Sequence, residues 1–473
     1  MPLPTILSGN VASALGGAYE VDNSYMFGGD ANTAITNTTP TNTKIFTISF
    51  WIKFHEFPTS GGDRIIFGYY SADNTQSYMY LRTDNTLGIY EVDGGTSKID
   101  FRTTQVFRDP SSWYSIIMAI DTSQSTNTNR FKLYVNGTQV TAWNANSYPD
   151  QHYASMLNEN SLAFNVGGTA FSSDKINASI CEFVFIDGQQ LDQNSFGEFD
   201  EDSPKIFKPK NVSSLTFGNN GFYLQFKETG TSANSSGCGA DTSGNNRHHS
   251  VTNLAATDQR VDTCTLNGCT LNPLDVNPAS AGDTFSEGNL KLATNNNSNA
   301  AGSRSTFAFT KGKWYVESKY TSSTAWNGVM ATDTTITGSM TTGTIAWYQG
   351  RTLYVDGSNT ATWGSAVSAG DIVGIALDLD NSRVTISQGG QWWGGSSFNQ
   401  SQPHTFQNLT SGYDTWSFLC RSGSATSTSE WNFGSPPFAI SSSNSDANGY
   451  GNMEYTVPTD YYIPNSANLA EFG

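Results

Sequence analysis

Three kinds of residue pattern in this sequence could do chemistry, and each has a plainer structural rival. Gly389-Gly-Gln-Trp-Trp-Gly-Gly395 sets Trp392 and Trp393 between glycines in what reads as a loop after a strand, where exposed indoles could stack on sugar rings. The rival reading is a tryptophan that plugs a sandwich edge. Trp326, Trp347, Tyr348 and the Tyr69-Tyr70 pair pose the same question on strands, where aromatics ordinarily pack a core. Asp378, Asp380 and Asn381 put three oxygen ligands into one turn, a donor set suited to calcium. An Asp-Asn turn closing a hairpin needs no ion, so calcium is an option here and no other cofactor is indicated.

Carboxylates and thiols supply the remaining candidates. Glu198-Phe-Asp200-Glu-Asp202 has the alternation of the Glu-x-Asp-x-Glu active-site strand of laminarinase-like glycosidases, but it ends in Asp and leads into a Pro-Lys-rich segment. That context suits a solvated acidic turn paired with Lys205, Lys208 or Lys210. Cys238, Cys264 and Cys269, with His248 and His249, form a set that could ligate zinc, although Cys-x4-Cys is looser than usual zinc pairs. Metal, disulfide or plain buried thiols all remain open for these three. The histidines, His55, His152, His248, His249 and His404, stand in no Gly-x-Ser-x-Gly or His-Glu-x-x-His context, and no glycine-rich phosphate loop precedes a helix. Nothing here points to an enzyme.

The elements that must carry these residues are strands. Charged residues are only 14% of the 473, aromatics are 13%, and the net charge is −17 with a pI near 4.6. That balance disfavours a phosphate-binding surface and hence nucleic acid. Thr, Val, Ile, Phe, Tyr and Trp favour pleated, half-buried surfaces, so an all-β fold is expected. No window reaches the ~18 consecutive apolar residues of a membrane span, and the start, Met1-Pro-Leu-Pro-Thr5, lacks the basic and apolar regions of a secretory signal. Synthesis in a cytoplasm without membrane insertion is the expectation.

Strand patterns fall into two blocks. Ile45–Phe54, Trp113–Ile120, Arg130–Val135 with its Asn136-Gly137 turn, and Ala178–Ile186 belong to the first; Gly312–Tyr320, Gly343–Tyr348, Arg351–Val355, Asp371–Asp378 and Thr415–Cys420 belong to the second. The expected organisation is an N-terminal anchoring arm (1–24), a first sandwich (25–227), a turn-rich connector (228–303), a second sandwich (304–440) and a tail (441–473).

The first block, through Phe46-Thr-Ile-Ser-Phe-Trp-Ile-Lys53, Trp113-Tyr-Ser-Ile-Ile-Met118 and Phe131-Lys-Leu-Tyr-Val-Asn-Gly137, resembles laminin-G-like domains of the concanavalin A-like superfamily. The second, through Gly312-Lys-Trp-Tyr-Val-Glu317, Gly370-Asp-Ile-Val-Gly-Ile-Ala-Leu-Asp378 and Trp431-Asn-Phe-Gly434, resembles a SPRY-type sandwich. With Met1–Asn10, Gly197–Ser203, Asp241–Asn246 and Thr263–Leu274, the ordered combination resembles laminin-G-like virion proteins of tailed bacteriophages. The resemblance implies two tandem concanavalin A-like (jelly-roll) β-sandwiches in a non-enzymatic virion structural protein. Such a protein would be a tail fibre, a spike or a capsid-surface fibre that touches other virion proteins and host-surface glycan or receptor. It would also be a homo-oligomer, with a trimer favoured. Two alternatives accompany it: a capsid decoration protein with a purely structural role, and a virion-associated glycan depolymerase.

Overall fold

The computed structural model describes residues 19–473 apart from 59–61, 170–173, 278–282, 295–301, 322–324, 338–339 and 423–426. Most of the expected arm, 1–24, therefore lies outside the described residues. The described chain divides between Thr265 and Leu266 into two compact units. Each unit is built on two antiparallel sheets, of eight and eight strands in the first and of seven and nine in the second, so the all-β expectation holds.

In the first unit, strand Ile45–Phe54 lies between Tyr114–Asp121 and Asn177–Asp187. Phe46, Ile48, Phe50, Ile52 and Phe54 face inward and join Phe67, Met79, Leu81, Ile89 and Phe101 of the opposing sheet in one core. The intervening Thr47, Ser49, Trp51 and Lys53 are buried as well. Their cover is a further layer from residues 196–217 and Cys264, in which Phe207 stacks on Trp51 at 6.1 Å. Burial on both faces is why these strands read as near-continuous apolar runs rather than as alternating ones. Lys53 is fully buried on the covered face and pairs with Asp262 at 2.8 Å, while the other Asp262 oxygen accepts from Trp113 Nε1 at 2.9 Å. The Asn136-Gly137 turn takes positive φ at both residues, 47° and 75°, as a two-residue hairpin requires. A Cβ on Gly137 would stand 2.3 Å from the Phe207 ring, so the covering layer needs the glycine too.

In the second unit, Lys313–Tyr320, Ile372–Asp378 and Arg383–Gln388 run side by side in one sheet. Trp416–Ser422, Ala325–Ala331, Thr344–Tyr348 and Thr352–Val355 run side by side in the other. Between them lies a core of Trp314, Val316, Val329, Ile345, Trp347, Ile375, Leu377, Phe418 and Trp431.

Two expected boundaries change. The stretch 228–303 is not a separate connector: Ser250–Thr252 pairs with Asn32–Thr36 and Gln259–Arg260 with Ser24–Gly28, completing both sheets of the first unit. Leu271–Val276, Thr284–Ser286, Lys291–Thr294 and Gly302–Ser305 belong to the sheets of the second. The tail 441–473 is likewise part of the second unit. Met453, Val457, Tyr461 and Ile463 pack on Tyr315 and Trp392, Tyr315 N donates to Tyr462 O at 2.9 Å, and the chain ends in helix Ser466–Phe472. These segments are rich in Asn, Ser and Gly, and their strands exist through ladder hydrogen bonds to neighbours rather than through a periodicity of their own.

Removing one partner of the buried ion pair leaves the other charged and dry. Asp262→Ala is expected to cost about 3–5 kcal/mol in chemical denaturation. The Lys53→Met, Asp262→Leu double variant should lose much less.

Candidate functional site

Three half-exposed aromatics meet on one sheet of the second unit. Trp326 on Ala325–Ala331 stands opposite Tyr348 on Thr344–Tyr348, whose Ala346 stands opposite Tyr354 on Thr352–Val355. Alternation along each strand sends Val329, Trp347, Leu353 and Val355 to the core and leaves Trp326, Tyr348 and Tyr354 on the opposite face. The Trp326 and Tyr348 rings stack at 4.4 Å and 30°, and Tyr354 meets Trp326 edge-on at 4.2 Å and 83°. All three remain half-buried, so part of the cluster faces solvent. A Cβ on Gly350 would lie 2.7 Å from the Tyr348 ring, so this glycine leaves the ring its place.

A cation adjoins the cluster. Arg421, on Trp416–Ser422, is in register with Trp326, and its Nη2 donates to Thr337 O at 3.0 Å. Burial pushes this guanidinium down to about 10, because its charge is largely withdrawn from water. The face thus combines aromatic planes and two phenolic hydroxyls, with the guanidinium buried beside them. Such a set can stack on the apolar side of a sugar ring and bond its hydroxyls.

Most of the residues singled out from sequence lie elsewhere. Trp392 and Trp393 are on strand Gln391–Trp393, not in an exposed loop, and are 2% and 5% exposed. Trp392 packs edge-on to Tyr315 at 6.0 Å, and Trp393 stacks on Trp363 at 6.0 Å, so neither presents a face to a ligand. The edge-plug reading describes both. Trp347 is buried in the core. Tyr69 and Tyr70 sit on Arg64–Ala72 of the first unit, with the Tyr70 hydroxyl donating to Asp73 at 2.8 Å. Trp326 and Tyr348 alone among the proposed glycan residues meet in one half-exposed cluster. Tyr354 was missed, although strand parity places it on the Tyr348 side of the hairpin. Arg421 carried no signal in sequence.

The expected ion sites are filled by protein. Asp378 accepts from Asn381 N and Nδ2 and from Arg383 Nε at 2.9–3.1 Å, and Asp380 accepts from Gly312 N at 2.9 Å. A hairpin turn neutralised by arginine is what these residues build in place of a calcium cage. Among the described residues, no three His, Cys, Asp or Glu side chains group as a metal site. Glu198 pairs with Lys208 at 3.7 Å and Lys210 at 3.1 Å, and Asp200 with Lys208 at 3.5 Å, across the hairpin of Gly197–Phe199 and Phe207–Pro209. All five cysteines are buried. Cys238 lies in the first core, Cys264 in its outer layer beside Cys181, and Cys269 in the core of the second unit.

Residues 27–192 match the family described as the concanavalin A-like lectin/glucanases superfamily, Laminin_G_3. That match falls within the first unit and covers most of its sandwich. Among solved structures, the SPRY domain of human HERC1 is 12% identical over 34% of this chain and 96% of its own, with a TM-score of 0.28. A heptameric SAP-like pentraxin from Limulus polyphemus is 15% identical over 37% of this chain and 80% of its own, with a TM-score of 0.28. A provisionally assigned carbohydrate-binding protein from Bacteroides ovatus is 13% identical over 50% of this chain and 60% of its own, with a TM-score of 0.32. No curated protein matches the chain.

Two outcomes follow from this placement. Trp393→Ala is expected to cost about 3–5 kcal/mol of stability, as for other buried tryptophans, and Trp326→Ala distinctly less; thermal denaturation ranks them. Chelation with EDTA should leave the melting temperature unchanged, since Arg383 already neutralises Asp378.

Proposed function

We propose that this protein is a carbohydrate-binding structural protein without a catalytic role. Its place is the surface of a tailed-phage virion, as a tail fibre, a spike or a capsid-surface fibre. The observation that carries the binding reading is the Trp326–Tyr348–Tyr354 cluster, half-exposed on the outer face of a sheet whose other face is a packed core. The lectin/glucanase family match of residues 27–192 supports a sugar-binding chain independently, on the other unit. The lysine pairing of Glu198 and Asp200 supports binding over hydrolysis, because a glycosidase needs its two carboxylates facing a sugar. The virion assignment rests on the ordered sequence resemblance. With it come other virion proteins as partners and a homo-oligomer, a trimer favoured, the host glycan being met by several copies at once.

The test is binding of the purified protein to host cells before and after periodate oxidation of their surface glycans. Periodate should abolish binding, and Trp326→Ala should weaken it by about tenfold or more, the loss usual for a truncated aromatic anchor. Wild-type affinity in Trp326→Ala would move the site elsewhere. Absence of binding to untreated cells would leave a purely structural decoration role.

A further inference from the structure

Glu182 occupies an unusual position in the first unit. It sits in the bulge between Cys181 and Val184 of strand Asn177–Asp187, with φ at +53°, a left-handed conformation that a side-chain-bearing residue adopts at a cost. The bulge turns its carboxyl toward the outer layer, where it is 6% exposed. There one carboxyl oxygen, Oε2, meets two phenols: Tyr19 Oη at 3.0 Å and, very closely, Tyr223 Oη. The two phenolic oxygens are themselves 2.9 Å apart. Gln225 Nε2 donates to Tyr19 Oη at 3.2 Å.

Three oxygens in mutual contact need three protons to make three hydrogen bonds. The two phenols supply two. If Glu182 is ionised, only two of the three contacts can be hydrogen bonds, and the third sets lone pairs against each other. If Glu182 carries its proton on Oε2, each oxygen donates once and accepts once around a closed ring. Only the neutral acid turns all three contacts into hydrogen bonds. Tyr19 is the member whose departure disturbs least, because its segment 19–23 is in no strand and is held besides by Val21 N donating to Thr265 Oγ1 at 3.0 Å and by the burial of Val21.

We propose that Glu182 is a proton-operated latch: its neutral carboxyl locks residues 19–22 onto the outer layer of the first unit, and its ionisation expels Tyr19 and frees that segment. Burial is the largest influence on the group, pushing it up from an ordinary 4.5 to about 7. The groups facing it are Tyr19 and Asp22 on the segment itself, Tyr223 on Phe222–Leu224, Lys227 just beyond that strand, and Cys264 in the covering layer. The Tyr223 and Tyr19 hydroxyls and, more weakly, Lys227 favour ionisation, and Asp22 opposes it. The folded chain holds the proton more tightly than the unfolded one. The stability linked to this group is thus complete below 4.5, falls as pH rises toward about 7, and is level above.

The experiment is hydrogen–deuterium exchange of the full chain across about pH 5 to 9, corrected for the intrinsic pH dependence of amide exchange, with peptides spanning 19–22 as reporter. Protection should drop as pH passes neutrality in the wild type and stay flat in Glu182→Gln, which cannot ionise. A flat wild-type profile, or the same drop in Glu182→Gln, overturns the latch. Infrared titration compares the wild type with Glu182→Gln, because burial also raises Glu91 and Glu317. The protonated carboxylic acid band that the variant lacks should persist to near-neutral pH and vanish as the protection does; its absence at pH about 6, where an ordinary glutamate is ionised, also overturns it.

Discussion

A strand can aim only every second side chain at a given layer, and that constraint decides what this protein can offer to a ligand. In the second unit the consecutive aromatics Trp347 and Tyr348 are forced apart, one into the core and one onto the outer face. Trp326 is brought into register with Tyr348 by the ladder, and Tyr354 by the next strand over. The cluster is therefore a product of pairing register, and a one-residue slip of Thr352–Val355 would bury Tyr354 and expose Leu353. In the first unit the same rule meets a different surrounding. There the outward set Trp51 and Lys53 is covered by a further layer, so the parity that could have displayed an aromatic hides it instead.

Long loops on sandwiches this polar must be fixed without much apolar surface, and buried carboxylates do it. Asp187 accepts from the backbone N of Thr41, Asn42 and Asn220 at 2.6–3.2 Å, drawing two distant segments onto one strand end. Glu91 accepts from Met156 N, Tyr153 Oη and Ser155 Oγ, and Glu317 from the backbone N of Glu454 and Tyr455. Burial raises Glu91 and Glu317 above the ordinary range, yet both are ringed by donors that stabilise the charged form. Glu182 differs in that its two phenolic partners also touch each other, so three oxygen contacts share two phenolic protons. In a chain with 14% charged residues, Asp187, Glu91 and Glu317 thus serve as loop attachments.

The sandwich strands were legible because their apolar runs exceed what turns carry, and the Asn136-Gly137 hairpin because only a positive-φ pair fits it. The short strands between 250 and 305 were not, since Ser250-Val-Thr252 or Gly302-Ser-Arg-Ser305 has no pattern apart from its partner. For the site, composition pointed to the right residue types and to Trp326 and Tyr348. Trp392 and Trp393 misled because flanking glycines look like a loop, whereas Gly389 and Gly390 form the tight turn that folds Gln391–Trp393 back onto Arg383–Gln388. Consecutive Trp392 and Trp393 point to opposite faces, yet both are covered: one by Tyr315 and the C-terminal segment, the other by Trp363 and the core. The cover on Trp392 comes from residues more than fifty positions away, beyond what local sequence can show.

The outer face around Trp326 is the surface proposed to meet sugar. Hydrogen–deuterium exchange of the protein with and without a host-surface oligosaccharide tests it most directly. Protection is expected over 325–331, 344–348 and 352–355, with 389–395 unchanged. Protection at 389–395, or confined to residues below 266, would contradict it.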